Sequence, residues 1–182
     1  FDGLRKVDVI LRRVDDSYCD PLELRGDSLL GVPGLLQAIR ERNVFVANPP
    51  GSAILENPGL YPFLSDICRY FFGEELHLPN IPTVWLGRER TLQEVLSQLK
   101  NYVILPIAAG PKGGTFFPAG MAQTELEELR VRIRRQPAYY VAQPAFGLTT
   151  CPVLQNGSLA AGKYVLRTFS VNNRDTFAVM PG

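Results

Sequence analysis

Carboxylates and arginines crowd one short stretch of this 182-residue chain. Arg13, Asp15, Asp16 and Asp20 stand at and beyond the end of an apolar run, and Glu23, Arg25 and Asp27 follow before the turn-like Gly31-Val32-Pro33-Gly34. Carboxylates gathered where a strand ends supply the hard oxygen ligands that Mg²⁺ takes beside phosphates. The same spacing suits a solvated acidic loop neutralised by Arg12, Arg13 and Arg25, and both readings stay open at this point. A second candidate runs from Tyr102 to Gly120. Apolar Tyr102 to Leu105 meet Pro106 and a loop holding Gly110, Lys112, Gly113 and Gly114, after which apolar residues resume at Phe116 and Phe117. Glycine lets backbone N–H groups approach a ligand with no side chain intervening, so a strand, loop and strand of this kind can close over an anion. It can equally be a long hairpin with no ligand.

Two further positions carry chemistry. Gln143 lies in an apolar run, Ala138 to Pro144, whose backbone could read a purine edge with the amide beside it. Arg167 lies in a strand-like run, where it could reach a phosphate or sit in a surface ion pair. The single His77 argues against a histidine-ligated metal or a His-based triad. Cys19, Cys68 and Cys151 are odd in number and widely spaced, which fits reduced thiols in a cytoplasm. Nineteen basic and eighteen acidic residues give a net charge of +1, so no bulk field draws the chain to nucleic acid or a membrane surface. No apolar run reaches the roughly twenty residues of a membrane span. With 46% hydrophobic and 20% charged residues the composition is that of an ordinary globular protein. The chain starts at Phe1 without an initiator Met and stops just after a strand-like run, which reads as a piece of a longer protein.

The elements that must position these residues follow from periodicity. Val7, Val9 and Leu11 alternate with polar neighbours, so Lys6 to Val14 reads as a strand. Leu35 to Arg42 has helical character, and Asn43 to Asn48 reads as a buried strand whose C-terminal loop, Asn48 to Ser52, lies where ligands sit in open α/β sheets. Pro62 to Phe72 places Phe63, Ile67, Tyr70 and Phe71 at helical spacing, as expected for core packing. Thr91, with Glu94 three residues on, predicts a capped helix over Leu92 to Leu99. A helix from Ala122 to Arg135 offers Leu126, Leu129, Val131 and Ile133 to the core and its arginines to solvent. Tyr164 to Phe169 and Thr176 to Met180 flank a turn-forming cluster, Asn172 to Asp175, and predict a hairpin.

In order, the motifs VDVILRRVDD, CDPLELR, DSLLGVPGL, NVFVANPPGS, LPNIPTVWLG, a strand and glycine loop, YVAQP and LRTFS leading to VMPG resemble the circularly permuted ATP-grasp proteins of bacteria over essentially the whole chain. The resemblance implies an α+β (α/β) fold with an ATP-grasp-like core, circularly permuted, here a truncated fragment. Residues 1–42 would form the permuted metal- and phosphate-binding segment, 43–100 a pre-ATP-grasp-like α/β segment, and 101–182 the nucleotide-binding lobe with flap and hinge. It further implies ATP and Mg²⁺ as cofactors, small-molecule or peptide carboxylate and amine substrates, and amide or peptide ligation through an acyl phosphate, as in ligases similar to glutathionylspermidine synthetase. Arg13 and Arg167 would act on the transferred phosphate, Asp15, Asp20 and Asp27 would ligate metal, and Lys112, Gly113, Gly114 and Gln143 would bind the nucleotide. One position departs from the family pattern. ATP-grasp proteins carry a Lys before the Pro that ends the strand entering the flap, and here that residue is Leu105. A degenerate module that binds or scaffolds without catalysis therefore stands as the alternative, and a plain α/β interaction domain as a third.

Overall fold

The computed structural model describes residues 3–108, 114–173 and 176–181. The chain divides into two compact units, Phe1–Pro144 and Ala145–Gly182.

In the first unit, β1 (Val9–Leu11) and β2 (Phe45–Ala47) pair in parallel, Val9 opposite Phe45 and Leu11 opposite Ala47. Both are shorter than the strands expected over Lys6 to Val14 and Asn43 to Asn48. A parallel pair needs a crossover, and it is supplied by a 3-10 turn at Asp16–Tyr18 and by α1 (Leu35–Arg40). The helix stops short of Arg42, which adopts a left-handed conformation with φ 57°. Because β1 and β2 run the same way, the segments beginning at Arg12 and Asn48 emerge at one edge.

Beyond β2 come 3-10 segments at Ser52–Glu56 and Pro58–Phe63, then α2 (Leu64–Phe72), closed by Gly73 in the left-handed region at φ 69°. A three-stranded antiparallel sheet follows. Its order is β3 (Val84–Trp85), β5 (Tyr140–Pro144), β4 (Tyr102–Pro106). The strand period of two sorts its residues. Ile104 opposite Ala142 and Pro106 opposite Tyr140 mark one face, and Leu105 opposite Val141 and Val103 opposite Gln143 mark the other. On the first face α3 (Glu89–Ser97) and α4 (Gln123–Arg135) supply Leu92, Val95, Leu96, Leu126, Leu129 and Ile133 to a core closed by Leu86, Leu99 and Ile104. Fully burying each such side chain contributes about 1.5–3 kcal/mol. The segment Pro58–Phe63 lies against β3 and β5. Phe116 exchanges two backbone hydrogen bonds with Ile104, at 2.9 and 3.0 Å, so the chain does return to β4 after the glycine loop, as a one-residue bridge.

Several expectations are corrected. Of the four residues expected in the core, Tyr70 and Phe71 are 83% and 71% exposed, Phe63 is exposed too and only Ile67 is half-buried; helical spacing specifies that residues share a face but not that anything covers it. Val131 is likewise exposed, since the buried stripe of α4 runs through Leu126, Leu129 and Ile133. Thr91 does not cap α3, which begins at Glu89 behind an extended Arg88. The glutamate half of a capping box forms at α4 instead, where the Ala122 N–H donates to Glu125 at 2.8 Å.

In the second unit, β6 (Thr150–Gln155) and β7 (Ser158–Lys163) form a hairpin turned by Asn156 and Gly157, at φ 51° and 77°. Both central residues have positive φ, the reason Asn-Gly is favoured there. β8 (Ser170–Asn173) pairs with β9 (Thr176–Val179). The expected hairpin around Asn172 to Asp175 is thus present, but its first strand begins at Ser170, beyond Tyr164 to Phe169.

Candidate functional site

The edge at which β1 and β2 end opens into a cleft of about 520 Å³, lined by Arg12, Arg13, Asp15, Asp16, Ser52 and Glu56 among others. Arg13 is exposed there and makes no hydrogen bond or ion pair with the described residues, so its guanidinium is available to an anion. Asp15 caps the following 3-10 turn. One of its oxygens accepts from the Ser17 hydroxyl at 2.6 Å and the Ser17 N–H at 2.9 Å, and these bonds, the hydroxyl's foremost, hold its carboxyl below the usual range. Its second oxygen has no partner among the described residues.

Arg12 is spent internally. Its Nε donates to the Asn48 carbonyl at 2.7 Å, Nη1 to the Val14 carbonyl, and Nη2 to the Pro49 carbonyl at 3.2 Å and Ser52 Oγ at 3.3 Å. Nη2 also pairs with Asp16, with the two side chains only 9% and 19% exposed. The other oxygen of Asp16 accepts the Gly51 and Ala53 N–H groups at 2.8 and 3.1 Å. A carboxylate thus satisfies the donors at the start of the Ser52–Glu56 segment, and Gly51 supplies the left-handed turn, φ 95°, that brings them to it.

A second cleft, about 450 Å³, runs beside the end of β4, lined by Leu105, Pro106, Ile107, Ala108 and Thr115. It shares Ala53 and Glu56 with the first, so the two meet along one wall. Leu105 presents an apolar side chain to this second cleft.

The other sequence-predicted residues lie as follows. Asp20 is fully buried and outside both clefts; Leu22 and Leu36 N–H donate to it at 2.9 Å and Gly34 N–H at 3.2 Å. These bonds, Leu36 foremost, lower its pKa and tie the loop before α1 to the helix start. Asp27 is held below the ordinary carboxylate range by Arg25, which grips it through two hydrogen bonds at 2.7 and 3.1 Å. It too lies outside both clefts. Gln143 is buried on the same strand face as Val103 and donates through Nε2 to Thr83 Oγ1 at 3.0 Å; the Thr83 hydroxyl in turn donates to the Ile81 carbonyl at 2.8 Å. That chain fixes the amide orientation and leaves Oε1 as the group's acceptor. Gly114 is exposed, and a Cβ added there would meet nothing within 4 Å. Lys112 and Gly113 lie outside the described residues. Arg167 is an exposed residue of the second unit.

Arg13 and Asp15 are therefore brought together in one cleft, whereas Asp20 and Asp27 serve other bonds. Among the described residues no three His, Cys, Asp or Glu side chains gather as a ready-made metal group. Mg²⁺ fits this donor set all the same, because it commonly takes one or two carboxylates and completes its shell with phosphate oxygens and water. Asp15 has an oxygen free for it and Glu56 lines the same cleft. Ser52 and Glu56 were not singled out by spacing, although Ser52 lies in the loop at the end of β2 that the sequence marks as a ligand position.

The chain matches the family of circularly permuted ATP-grasp type 2 proteins over residues 1–182. It belongs to that family. An uncharacterized protein of Mycobacterium tuberculosis is 36% identical to this ATP-grasp chain over 183 residues, covering 100% of it and 33% of the relative. Uncharacterized proteins of Mycobacterium leprae and of a Synechocystis strain are 38% and 37% identical, covering 100% and 99% of this chain and 32% and 37% of theirs. The chain spans about a third of the length of these curated relatives. Its mixed helices and strands are compatible with an ATP-grasp-like α+β fold. No helix of the described residues is long and apolar enough to cross a membrane.

Proposed function

We propose that the chain is the nucleotide-binding core of an ATP- and Mg²⁺-dependent carboxylate–amine ligase that works through an acyl phosphate, of the reaction class of ligases similar to glutathionylspermidine synthetase. The observation that carries this reading is the shared wall of the two clefts. One cleft offers a guanidinium and a carboxylate oxygen that have no partner among the described residues, and the other offers an apolar floor at the end of β4. A nucleotide needs both, a charged end for its phosphates and an apolar end for its base. Family membership supports an ATP-dependent, ligase-type module.

In this reading Arg13 contacts the phosphate being transferred and draws off its developing negative charge. Asp15, with Glu56 of the same cleft, would hold Mg²⁺, which when bound would offset the charge on the phosphate oxygens. Gln143 contributes its Oε1 acceptor at the sheet face toward the base. A substrate carboxylate oxygen attacks the γ-phosphorus as the bond to the β,γ-bridging oxygen breaks and ADP leaves. The amine then attacks the acyl carbon, phosphate departs, and the amine loses its proton. Lys112 and the flap glycines Gly113 and Gly114 belong to the same proposal as phosphate-side contacts.

The test uses the full-length protein with MgATP, an equimolar mixture of the twenty amino acids and hydroxylamine as surrogate amine. Hydroxamate with equal ADP and phosphate is expected. AMP and pyrophosphate would overturn the acyl phosphate. A second reading, a degenerate module that binds without catalysis, is favoured by Leu105, which leaves the second cleft without a cation among its described lining residues. MgATP binding with no hydroxamate and no ADP release, across amino acid and peptide carboxylates, would support it.

A further inference from the structure

We propose that Ser52 is a phosphate-binding residue of the first cleft, presented by Arg12 and held in register by Asp16. The inference deepens the nucleotide reading and rests on it for the choice of ATP as one probe. Three observations carry it. Ser52 lines the cleft with Arg13 and Asp15. Its Oγ accepts from Arg12 Nη2 at 3.3 Å, and among the described residues nothing takes its hydroxyl proton. The residues on either side of it, Gly51 and Ala53, both donate their N–H groups to one oxygen of Asp16, at 2.8 and 3.1 Å.

These facts assign different work to two adjacent arginines. The Arg12 fork is turned inward: it donates to Asn48, Val14, Pro49 and Ser52 and its charge pairs with Asp16, which leaves one Nη1 N–H without an acceptor among the described residues. It is a positioning residue. Its charge nevertheless reaches the cleft through Ser52, because a hydroxyl that accepts from a cation becomes a stronger donor to an oxyanion. Arg13, without a hydrogen bond or ion pair among the described residues, is the direct cation. The loop requires such a clamp. Asn48 and Gly51 both have positive φ, 59° and 95°, and the Asn48 side chain returns a hydrogen bond to the Arg12 carbonyl at 3.2 Å. Without the clamp nothing among these contacts would hold Ser52 at the cleft wall. The backbone donors of the loop are already used by Asp16, so the phosphate contact falls to the hydroxyl and not to a backbone nest.

The experiment titrates the full-length protein by calorimetry with MgATP and, separately, with inorganic tripolyphosphate. Ser52→Ala is expected to weaken both probes about tenfold, the loss of one hydrogen bond to a charged group, and Ser52→Thr to restore them. Arg12→Lys, which cannot span five acceptors, is expected to weaken them similarly, and the double variant to be no weaker than either single one. Amide exchange at Gly51 and Ala53 is expected to stay slow in Ser52→Ala, a readout that a merely structural serine would move. Wild-type affinity for both probes in Ser52→Ala, additive losses in the double variant, or fast exchange in Ser52→Ala would each overturn the inference. If wild-type protein binds tripolyphosphate but not ATP, the nucleotide reading fails while the Ser52 comparison still decides this one; binding of neither overturns both.

Discussion

Replacing each of the paired arginines by alanine separates ligand binding from architecture. Arg13 is exposed and makes no hydrogen bond or ion pair with the described residues, so Arg13→Ala removes no such bond and should change stability by no more than about 0.5 kcal/mol. What it removes is a charge-assisted hydrogen bond to phosphate, about 1.5–3 kcal/mol, which is roughly 10- to 150-fold in affinity. Arg12→Ala does the reverse. It strips hydrogen bonds from Asn48, Pro49 and Ser52 and leaves Asp16, 19% exposed, without its cation. Breaking a buried pair from one side costs about 3–5 kcal/mol, a fall in Tm on the order of 10 °C for a protein of this size. Calorimetric titration with MgATP and thermal denaturation of the same samples read both effects. Unchanged MgATP affinity in Arg13→Ala, or an unchanged Tm in Arg12→Ala, would refute this division of labour.

Three other outcomes follow from the same geometry. Leu105→Lys places an ammonium on the apolar floor assigned to the base, beside Pro106 and Ile107, and is expected to weaken MgATP binding; tighter binding would show that the position faces phosphate and would support the degenerate module instead. Asp15→Asn should weaken the Mg²⁺ dependence of ATP binding while Asp27→Asn, whose carboxylate is engaged by Arg25, leaves it unchanged; magnesium titration at fixed ATP reads the difference. The lowered pKa of Asp20 means its contribution to stability is fully present above its unfolded value of about 3.9 and is lost as pH falls through the lower folded value. The Tm gap between wild type and Asp20→Asn should therefore be constant above about pH 4 and narrow below it, and a gap that widens on acidification would contradict the assignment.

Much of the scaffold was legible because it obeys simple periods. The alternation through Val9 and Leu11 and the apolar stripe Leu126, Leu129, Ile133 each correspond to an observed element. Charge at the end of β1 pointed to Arg13 and Asp15, but residue type could not separate Asp15 from Asp20. That difference comes from N–H groups at Leu22, Gly34 and Leu36, which only folding brings to Asp20. For the same reason Arg12 and Arg13 look alike in sequence and behave as opposites. The exposed Tyr70 and Phe71 show the converse limit, since an apolar face in sequence does not name its partner. The β6–β7 hairpin carries a readable Asn156-Gly157 turn, but Pro152 weakens its first strand, because proline cannot donate to the ladder.

The central claim is that Arg13, Asp15 and the cleft beside Leu105 form one nucleotide site. Its most direct test is calorimetric titration of the full-length protein with ATP in the presence and absence of Mg²⁺. The account predicts saturable binding below millimolar concentration that requires Mg²⁺ and is weakened by Arg13→Ala. No heat of binding at millimolar MgATP would contradict it.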